Sequence, residues 1–419
     1  MNSYFFQAAL LPDGWHQRVR AVVSEGRFIE VVAETEPQAG DQHLGVVIPA
    51  MPNGHSHVFQ RAMAGLAEHR STDAAAGQDS FWTWRERMYQ LANELDHDGL
   101  YQVAKACYQE MRETGYAAVC EFHYLHRRLD DPSDYHSHSL ALLQAAAEVG
   151  LPITLLPVLY AFAGVGDQPL NPLQQRFGLS VEEYLDLHHR IKPQLQAEQH
   201  LGICFHSIRA VNQQQMKAVI EALPNDTPIH IHIAEQQAEV EQSLAHYGQR
   251  PVAWLLDQFA VDRRWNLVHA THLDAAEVEH IADSGAVAVL CPLTEANLGD
   301  GIFPMPAFKQ LKGLWAIGSD SHVEIQPQQE LKMLEYSQRL LQQQRNVCCS
   351  EAQPHVGTWQ WLQAVQGGNQ ACGFAAAGIR VGALSGVVAL LGHEPARRAE
   401  QLLDAWIFSD RVSIKSHRL

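Results

Sequence analysis

The stretch Pro49-Ala-Met-Pro-Asn-Gly-His-Ser-His-Val-Phe-Gln60 follows an apolar run at residues 44–48. Such a run is typical of a buried strand, and side chains two positions apart in a strand lie on the same face. His55 and His57 can therefore face one metal ion. The proline and glycine just before His55 predict an irregular strand end, and a parallel barrel carries its chemistry at the carboxyl ends of its strands. A His-Ser-His tripeptide alone is as often an ordinary loop, so the interpretation depends on the rest of the chain.

Further compact apolar runs follow along the chain, and stretches with helical periodicity lie between most of them. With the first one, the eight runs cover residues 44–50, 117–124, 153–159, 201–207, 229–234, 266–271, 286–291 and 314–318. Helices are expected at residues 98–114, 213–223 and 275–284. This alternation is typical of parallel strands with crossover helices, and eight strands predict an α/β fold with a closed (β/α)8 TIM-type barrel. An open doubly wound sheet is the alternative.

The two ends of the chain show a different pattern. Residues 3–35 contain short β-rich runs separated by turn residues, which predict a small antiparallel sheet. Residues 387–391 and 405–408 again look like short strands. We therefore expect a small β-sandwich domain that both chain ends build around the barrel. The expected division is residues 1–46 and 378–419 for the small domain and residues 47–377 for the barrel.

Two intervals between the expected strands are too long for tight turns. They cover residues 61–97, with the aromatic-rich Phe81-Trp-Thr-Trp-Arg85, and residues 160–180. Long connections at the active face of a barrel commonly cover the site, so we expect both to form lids.

Composition limits the class of protein. Of the 419 residues, 46% are apolar and 18% charged, which is typical of a soluble globular protein with a large core. The net charge of −17 disfavours nucleic-acid binding, which needs a basic face, so an anionic substrate would need a local cluster of Arg and His. Neither a long apolar run nor a signal-like N-terminus is present, so we expect no membrane segment. Seven scattered cysteines without a CxxC pair indicate reduced thiols in a cytoplasmic protein.

Metal-ligand residue types recur where the expected strands end. The first strand leads to His55 and His57, the fifth to His232, and the eighth to Asp320. Three imidazoles and a carboxylate suit one divalent ion, zinc or iron. The fourth run offers no Lys or Glu that could bridge a second ion, so we expect a single metal.

A hydrolytic reaction at such a metal also needs a group that moves protons. A bound metal lowers the pKa of its water to roughly 7, and a carboxylate then has to carry a proton to the leaving nitrogen. Glu235, three residues after His232, is placed for this role, and a solvated loop carboxylate is the alternative. The sixth strand adds His269 at its end. His230 is expected to pack in the barrel, and His272 to lie on the surface.

These residues resemble the deaminase branch of the amidohydrolase superfamily, and more narrowly the formimidoylglutamate deiminases. The motifs that carry the resemblance are Met51-Pro-Asn-Gly-His-Ser-His-Val-Phe-Gln-Arg-Ala-Met-Ala-Gly65, Ser80-Phe-Trp-Thr-Trp-Arg85, Glu121-Phe-His-Tyr124, Cys204-Phe-His-Ser-Ile-Arg209, His232-Ile-Ala-Glu235, Thr294-Glu-Ala-Asn-Leu-Gly-Asp-Gly301 and Gly318-Ser-Asp320. The resemblance runs from about residue 4 to 345. It implies a zinc enzyme that hydrolyses N-formimino-L-glutamate to N-formyl-L-glutamate and ammonia in histidine degradation.

The resemblance also implies a role for individual residues. The implied metal ligands are His55, His57, His232 and Asp320. The implied catalytic groups are Glu235, His269 and Asp320. The implied substrate contacts are Gln60, Arg85, Tyr124, His206, Arg209 and His269. Arginines suit a substrate with two carboxylates because a guanidinium binds a carboxylate through two parallel hydrogen bonds. For Arg85, stacking on Trp82 or Trp84 is the alternative.

The sequence departs from the family near its C-terminus, where Ser385-Gly-Val-Val-Ala-Leu replaces the usual Ala-Asp-Leu-Leu-Val-like strand, so the small sheet is expected to be short or altered. Two other functions stay open: a deaminase acting on a purine, pterin or triazine ring, and a catalytically silent scaffold. The pair of arginines argues against a neutral ring, and the full ligand set argues against a silent scaffold. A homodimer is one expected assembly.

Overall fold

The computed structural model describes residues 1–68, 80–392, 398–409 and 411–419. The strands of this part are β1 (Asn2–Leu11), β2 (Gly14–Ser24), β3 (Arg27–Val32), β4 (Gln42–Pro49), β5 (Met51–Ser56), β6 (Tyr116–His123), β7 (Ile153–Leu159), β8 (Gln199–Leu201), β9 (Ile203–Phe205), β10 (Ile229–Ile233), β11 (Trp265–His269), β12 (Val287–Leu290), β13 (Leu314–Ile317), β14 (Gly386–Gly392) and β15 (Val412–Arg418).

Helices connect most of the strands after β5. They are α1 (Phe81–Glu94), α2 (His97–Thr114), α3 (Ser137–Val149), α4 (Val181–Ile191), α5 (Gln213–Ala222), α6 (Gln237–Tyr247), α7 (Pro251–Gln258), α8 (Ala275–Ser284), α9 (Pro292–Leu298), α10 (Met305–Gln310), α11 (Pro327–Gln342), α12 (Val356–Ala371) and α13 (Ala399–Phe408). Short 3-10 helices cover Val58–Met63, Pro172–Phe177 and Lys192–Gln194. The three helices predicted from periodicity, α2, α5 and α8, differ from their expected bounds by one residue at most.

The parallel barrel is confirmed. Eight strands pair in the order β5-β6-β7-β9-β10-β11-β12-β13, and the short β8 pairs with β7. The first and last strands meet at their carboxyl ends, where Ser56 and Asp320 form a parallel bridge. The backbone N–H of His57 donates to the Asp320 carbonyl oxygen at 3.0 Å, and that of Asp320 donates to the His55 carbonyl oxygen at 3.1 Å. The same residues that close the barrel therefore carry the predicted metal ligands.

The small domain built from both chain ends is also confirmed. Its strands form one six-stranded sheet in the order β15-β14-β4-β1-β2-β3, where we had expected a sandwich. Apolar side chains on one face of this sheet make a core separate from that of the barrel.

The assignment of residues 44–50 to the first barrel strand was wrong. These residues belong to β4, which pairs with β1 and β14 in the small sheet and runs to Pro49, past the expected domain limit at residue 46. The chain changes sheets at the next peptide: the N–H of Ala50 donates to Gly386 of the small sheet, and that of Met51 donates to Gly115, next to β6. The apolar run belongs to β4 alone, and the sequence pattern does not mark which sheet that run joins.

The expected strand at residues 405–408 was also wrong, because these residues end helix α13. The buried residues of this helix are Ala399, Leu402, Leu403, Trp406 and Ile407, a spacing that matches one helical face. The C-terminal strand of the small sheet is instead β15, which pairs antiparallel with β14.

Other expectations concern lids, cysteines and membrane segments. Helix α1 lies in the first expected lid, of which residues 69–79 fall outside the described part, and the second interval carries the 3-10 helix Pro172–Phe177. All seven cysteines are unpaired thiols, and each except Cys349 is buried. Among the described helices, none has the length and apolar character needed to cross a membrane.

Candidate active site

Four predicted metal ligands converge at the carboxyl ends of β5, β10 and β13. The Nε2 atoms of His55, His57 and His232 lie 3.1–3.2 Å from one another. The Oδ1 atom of Asp320 lies 3.3 Å from His55 Nε2 and 3.4 Å from His57 Nε2. All four side chains are buried. We call these four residues the histidine–aspartate cluster.

The spacing of this cluster fits a tetrahedral metal ion. Bonds of 2.0–2.1 Å to such an ion would set its ligand atoms about 3.3 Å apart, close to the 3.1–3.4 Å observed among the three histidines and from Asp320 to His55 and His57. The Nδ1 atom of His57 lies 2.9 Å from the Phe122 carbonyl oxygen and donates to it, which leaves the Nε2 lone pair for a metal. Burial lowers the pKa of His57 to about 3, so its ring is neutral and able to ligate. The cluster therefore has the donor chemistry of a zinc or iron site.

Local backbone structure holds the cluster in place. The Asn53 side chain accepts hydrogen bonds from the N–H groups of His55 and Ser319, so β5 and the end of β13 share one anchor. Asp320 and His269 adopt positive φ angles of 45° and 69°. Non-glycine residues in this region carry strain, which is typical of functional positions that the surrounding structure enforces. The positions of the cluster residues are therefore set both by the period-two spacing of His55 and His57 and by contacts between residues distant in the sequence.

The predicted proton-transfer residues lie beside the cluster. A carboxylate oxygen of Glu235 is 3.7 Å from His269 Nε2, and Asp320 Oδ2 is 3.8 Å from the same nitrogen. Burial raises the pKa of the Glu235 carboxyl to about 7, against the opposing charges of His269 and Arg209. Burial would lower the pKa of His269, but the Glu235 and Glu295 carboxylates outweigh it and raise the value to about 10. The shift brings the pKa of Glu235 close to neutral pH, where an acid–base group works best.

The predicted substrate contacts all border one cavity in front of the cluster. Its lining residues are His57, Gln60, Phe81, Trp84, Arg85, Met88, Tyr89, Tyr124, Tyr160, His206, Arg209, His232, Glu235, His269, Leu298 and Asp320. Within it, Gln60 donates to the Tyr124 hydroxyl at 2.8 Å, and the rings of His206 and Tyr160 pack edge to face, with 4.5 Å between their centroids. His55 lies behind this wall, fully buried. The roles of the individual residues stay predictions, but their side chains share one site.

Two arginines border this cavity without an acidic partner. Arg209 is only 7% exposed, and within the described residues it has no hydrogen bond and no carboxylate within 4 Å. Arg85 stacks on Trp82, with 4.4 Å from its Cζ atom to the ring centroid, which is the stacking we had considered as an alternative. Its Nε atom is also buried and unpaired in this part of the chain. A buried cation without a hydrogen-bond partner is costly, so Arg209, with the half-buried Arg85 at the same cavity, predicts an anionic ligand.

The site also contains groups that we did not select from the sequence. Glu295 lies 3.4 Å from His269 Nδ1 and accepts a hydrogen bond from the Cys291 N–H. The side-chain ligand atoms of Asp300, Glu235 and His269 converge in a further set. Glu121 accepts a 2.5 Å hydrogen bond from Ser56, between the two histidines of β5. The quoted motifs contain all three carboxylates, but only long-range contacts reveal what each one touches. Tyr89 and Tyr160 line the cavity and had no signal in the sequence.

Comparison with known proteins agrees with this geometry. A model of the amidohydrolase family matches residues 46–363, and a model described as the N-terminal domain of the formimidoylglutamate deiminase HutF matches residues 1–44. A formimidoylglutamate deiminase of Pseudomonas aeruginosa is 46% identical over 416 residues, which cover 98% of this chain and 91% of that protein. The chain is a member of the formimidoylglutamate deiminase family of amidohydrolases.

Solved structures support the same fold. An amidohydrolase from Brucella melitensis superimposes with a TM-score of 0.92 at 39% identity, covering 99% of this chain and 92% of that one. An adenosine deaminase from Xanthomonas campestris, solved with bound zinc, superimposes with a TM-score of 0.76 at 18% identity over 96% of this chain and 88% of that one, which shows the shared fold alone. Membership of this family makes the chain a hydrolase that acts on carbon–nitrogen bonds.

Proposed function

We propose that this chain hydrolyses N-formimino-L-glutamate to N-formyl-L-glutamate and ammonia in histidine degradation, with one zinc ion per chain. The observation that carries the proposal is the buried, unpaired guanidinium of Arg209, which borders the same cavity as the histidine–aspartate cluster. The histidine–aspartate cluster beside these arginines suits a substrate that carries both a hydrolysable carbon–nitrogen bond and carboxylates. The identity of 46% to a formimidoylglutamate deiminase supports the same reaction.

The metal would be held by His55, His57, His232 and Asp320. Such an ion supplies Lewis-acid chemistry, and it makes a water acidic enough to act as a nucleophile at neutral pH. The donor set accommodates iron as well as zinc. Elemental analysis of the purified protein decides both the identity of the metal and the expected ratio of one ion per chain; two equivalents would contradict that ratio.

Glu235 carries out the proton transfers in the proposed mechanism. It takes a proton from water as the water oxygen bonds to the formimino carbon and the carbon–nitrogen double bond becomes single. It delivers that proton to the terminal nitrogen, which becomes an amine on a tetrahedral carbon. Glu235 then moves the proton of the new hydroxyl to the same nitrogen, the carbon–oxygen bond becomes double as the carbon–nitrogen bond breaks, and ammonia leaves. A carboxyl with a pKa raised to about 7 serves both as base and as acid. His269, 3.7 Å from Glu235, is positioned to orient the reacting oxygen and to stabilise charge on it.

The rest of the cavity selects the glutamate moiety. Arg209 and Arg85 bind the two carboxylates, and His206 adds a ring nitrogen beside them. Gln60 and Tyr124, linked by a 2.8 Å hydrogen bond, contact the formimino end near His57. Charge-assisted hydrogen bonds from a guanidinium are stronger in a partly dry cavity than in water, so an acidic protein can still bind a dianion here.

Ammonia release from a set of substrates tests the proposal. With metal-loaded protein, N-formimino-L-glutamate should be turned over well, and formimino-aspartate and formimino-glycine poorly, because the first shortens the distance between carboxylates and the second lacks one. Guanine serves as the heterocyclic control and should release no ammonia. Faster release from guanine, or equal rates with formimino-glycine, would overturn the assignment. A cytoplasmic location and a homodimer belong to the same proposal and are checked by cell fractionation and light scattering.

A further inference from the structure

One aromatic ring lies against both arginines of the cavity. Helix α1 carries Trp82, Arg85 and Tyr89 at spacings of three and four residues, which places them on one helical face. The Cζ atom of Arg85 lies 4.4 Å from the Trp82 ring centroid and 5.5 Å from that of Tyr89. The Cζ atom of Arg209, which follows β9, lies 5.9 Å from the same Trp82 ring. Two cations from separate parts of the chain therefore share one indole.

The indole contacts the guanidiniums from the side away from the reacting centre. Arg85 and Arg209 border the catalytic cavity, whose described lining does not include Trp82. Both arginines also border a second, more open pocket, together with Trp82, Gln168, Gln242 and His246. The two guanidiniums thus separate the inner cavity from the outer pocket, and Trp82 lies on the outer side. Its own side chain is half-buried.

The energetics of this arrangement favour a positioning role. Two guanidiniums close to one ring repel each other. Glu239 and Glu235 act on Arg209 at longer range, but neither arginine has a carboxylate within 4 Å in the described part of the chain. The π face of an indole attracts a cation without using its N–H donors. The Trp82 ring therefore attracts both guanidiniums to one place and leaves their donors free for a ligand. An acidic partner would also fix them, but it would occupy those donors.

We infer that Trp82 is a positioning residue that holds Arg85 and Arg209 together as a clamp for a dicarboxylate ligand. The inference deepens the proposed function, because the dicarboxylate is then the glutamate moiety of the substrate. Trp82 acts through the two arginines and does not reach the reacting atoms. Its removal should therefore change the binding of a dianion and leave the chemical step intact.

The experiment compares Trp82→Leu, which removes the π face, with Trp82→Phe, which retains an aromatic face. For N-formimino-L-glutamate, Trp82→Leu should raise KM about 5- to 30-fold, with kcat within about twofold of the wild type, and Trp82→Phe should recover most of the loss. Formimino-glycine has only one carboxylate for the clamp, so its KM should change less. Gln242→Ala, on another wall of the outer pocket, is the matched control and should leave KM unchanged.

A binding measurement separates this inference from the proposed reaction. Calorimetry with glutarate, a plain dicarboxylate, should show the same loss of affinity in Trp82→Leu and the same recovery in Trp82→Phe, whatever the enzyme turns over. If the wild-type protein binds glutarate but does not deiminate formimino-glutamate, the proposed function fails and the clamp stands. Equal glutarate affinity in the wild type and Trp82→Leu overturns the clamp. The clamp is also overturned if kcat falls in Trp82→Leu and the variant loses metal or thermal stability as well, because these losses would indicate a general structural role.

Discussion

Two groups of histidines in the described part of the barrel differ in that the first has the properties of a metal site and the second does not. The histidine–aspartate cluster lies at the strand ends, with three Nε2 atoms in mutual contact. The second group, which we call the outer histidine layer, consists of His97, His123, His126 and His138, with Arg176 beside them. Its rings pair at centroid distances of 5.1 and 5.5 Å, yet none of them belongs to a set of converging ligand atoms in the described chain.

The difference begins with the alternation of side chains along β6. Phe122 and Tyr124 contact the rings of the cluster from inside the barrel, whereas His123 between them faces outwards and contacts His126. In the outer layer, two ring nitrogens bond to backbone: His126 Nε2 donates to the Val158 carbonyl oxygen and His138 Nδ1 donates to that of Leu125. Both groups hold three buried histidines, and the outer layer adds the half-buried His97. The direction of the side chains therefore decides which group can hold a metal.

The same contrast applies to the two buried arginines. Arg176 is 6% exposed and donates to three backbone carbonyl oxygens, those of Ala92, Leu95 and Arg127. Arg209 is 7% exposed and has no such partners among the described residues. A guanidinium satisfied by carbonyls stabilises the fold, whereas an unpaired one at a cavity wall is available to a ligand. Composition and burial alone would not separate these two residues.

The largest effect should follow from removing a cluster ligand. Asp320→Asn loses the anionic oxygen that faces His55 and His57, so metal content should fall far below one equivalent and deimination to background. His126→Gln in the outer layer is the matched control and should keep both metal and activity. Elemental analysis and an ammonia assay measure the two quantities. A full metal equivalent in Asp320→Asn, or metal loss in His126→Gln, would reverse the roles assigned to the two groups.

Exchanging the arginines for methionine should separate catalysis from stability. Arg209→Met should lower kcat/KM for N-formimino-L-glutamate on the order of 10² to 10⁴-fold with metal content unchanged, because it removes charge-assisted binding energy from a part of the substrate that does not react. Arg176→Met should instead lower the thermal midpoint by several degrees and leave kcat/KM near the wild-type value. If Arg176→Met does not fold, Arg176→Lys supplies the weaker test. An intact preference for glutamate in Arg209→Met argues against the clamp.

The third prediction concerns Glu235, the carboxylate beside the cluster. Glu235→Gln keeps the shape of the side chain but cannot transfer a proton, so kcat should fall by at least about 10²-fold while metal content holds. KM should change little, since Glu235 is not part of the clamp. Steady-state kinetics with elemental analysis checks both points, and near-normal turnover would remove Glu235 from the mechanism.

The sequence predicted the barrel and the residues of the cluster because both follow from local rules. Strand periodicity places His55 and His57 on one face, and the order of strands brings His232 and Asp320 to the same end. It did not predict where β4 ends and β5 begins, because only Ala50 separates the two strands and the change of sheet there leaves no mark in the pattern. Glu295 and Tyr160 were missed for a related reason: their functional neighbours lie far away in the chain.

The last prediction concerns the pH-dependent contribution of the outer histidine layer to the free energy of unfolding. Burial lowers the pKa of His126 to about 3 and that of His138 to about 4, so both rings are neutral in the folded protein. The unfolded chain binds protons at these residues below about pH 6.5. Their contribution to stability is therefore fully present above about pH 6.5 and is lost as the pH falls towards the pKa values of the folded state.

His126→Gln isolates this effect, because its amide can still donate to the Val158 carbonyl oxygen but does not titrate. Between pH 7.5 and 5.5, the wild type should lose about 1.4 kcal/mol more of its free energy of unfolding than the variant does. Urea unfolding of both proteins at the two pH values provides the measurement, and subtracting one protein from the other removes contributions from carboxylates and from the metal site. Parallel losses in the two proteins would mean that His126 is protonated or exposed in the folded state, and the contrast between the two histidine groups would then no longer hold.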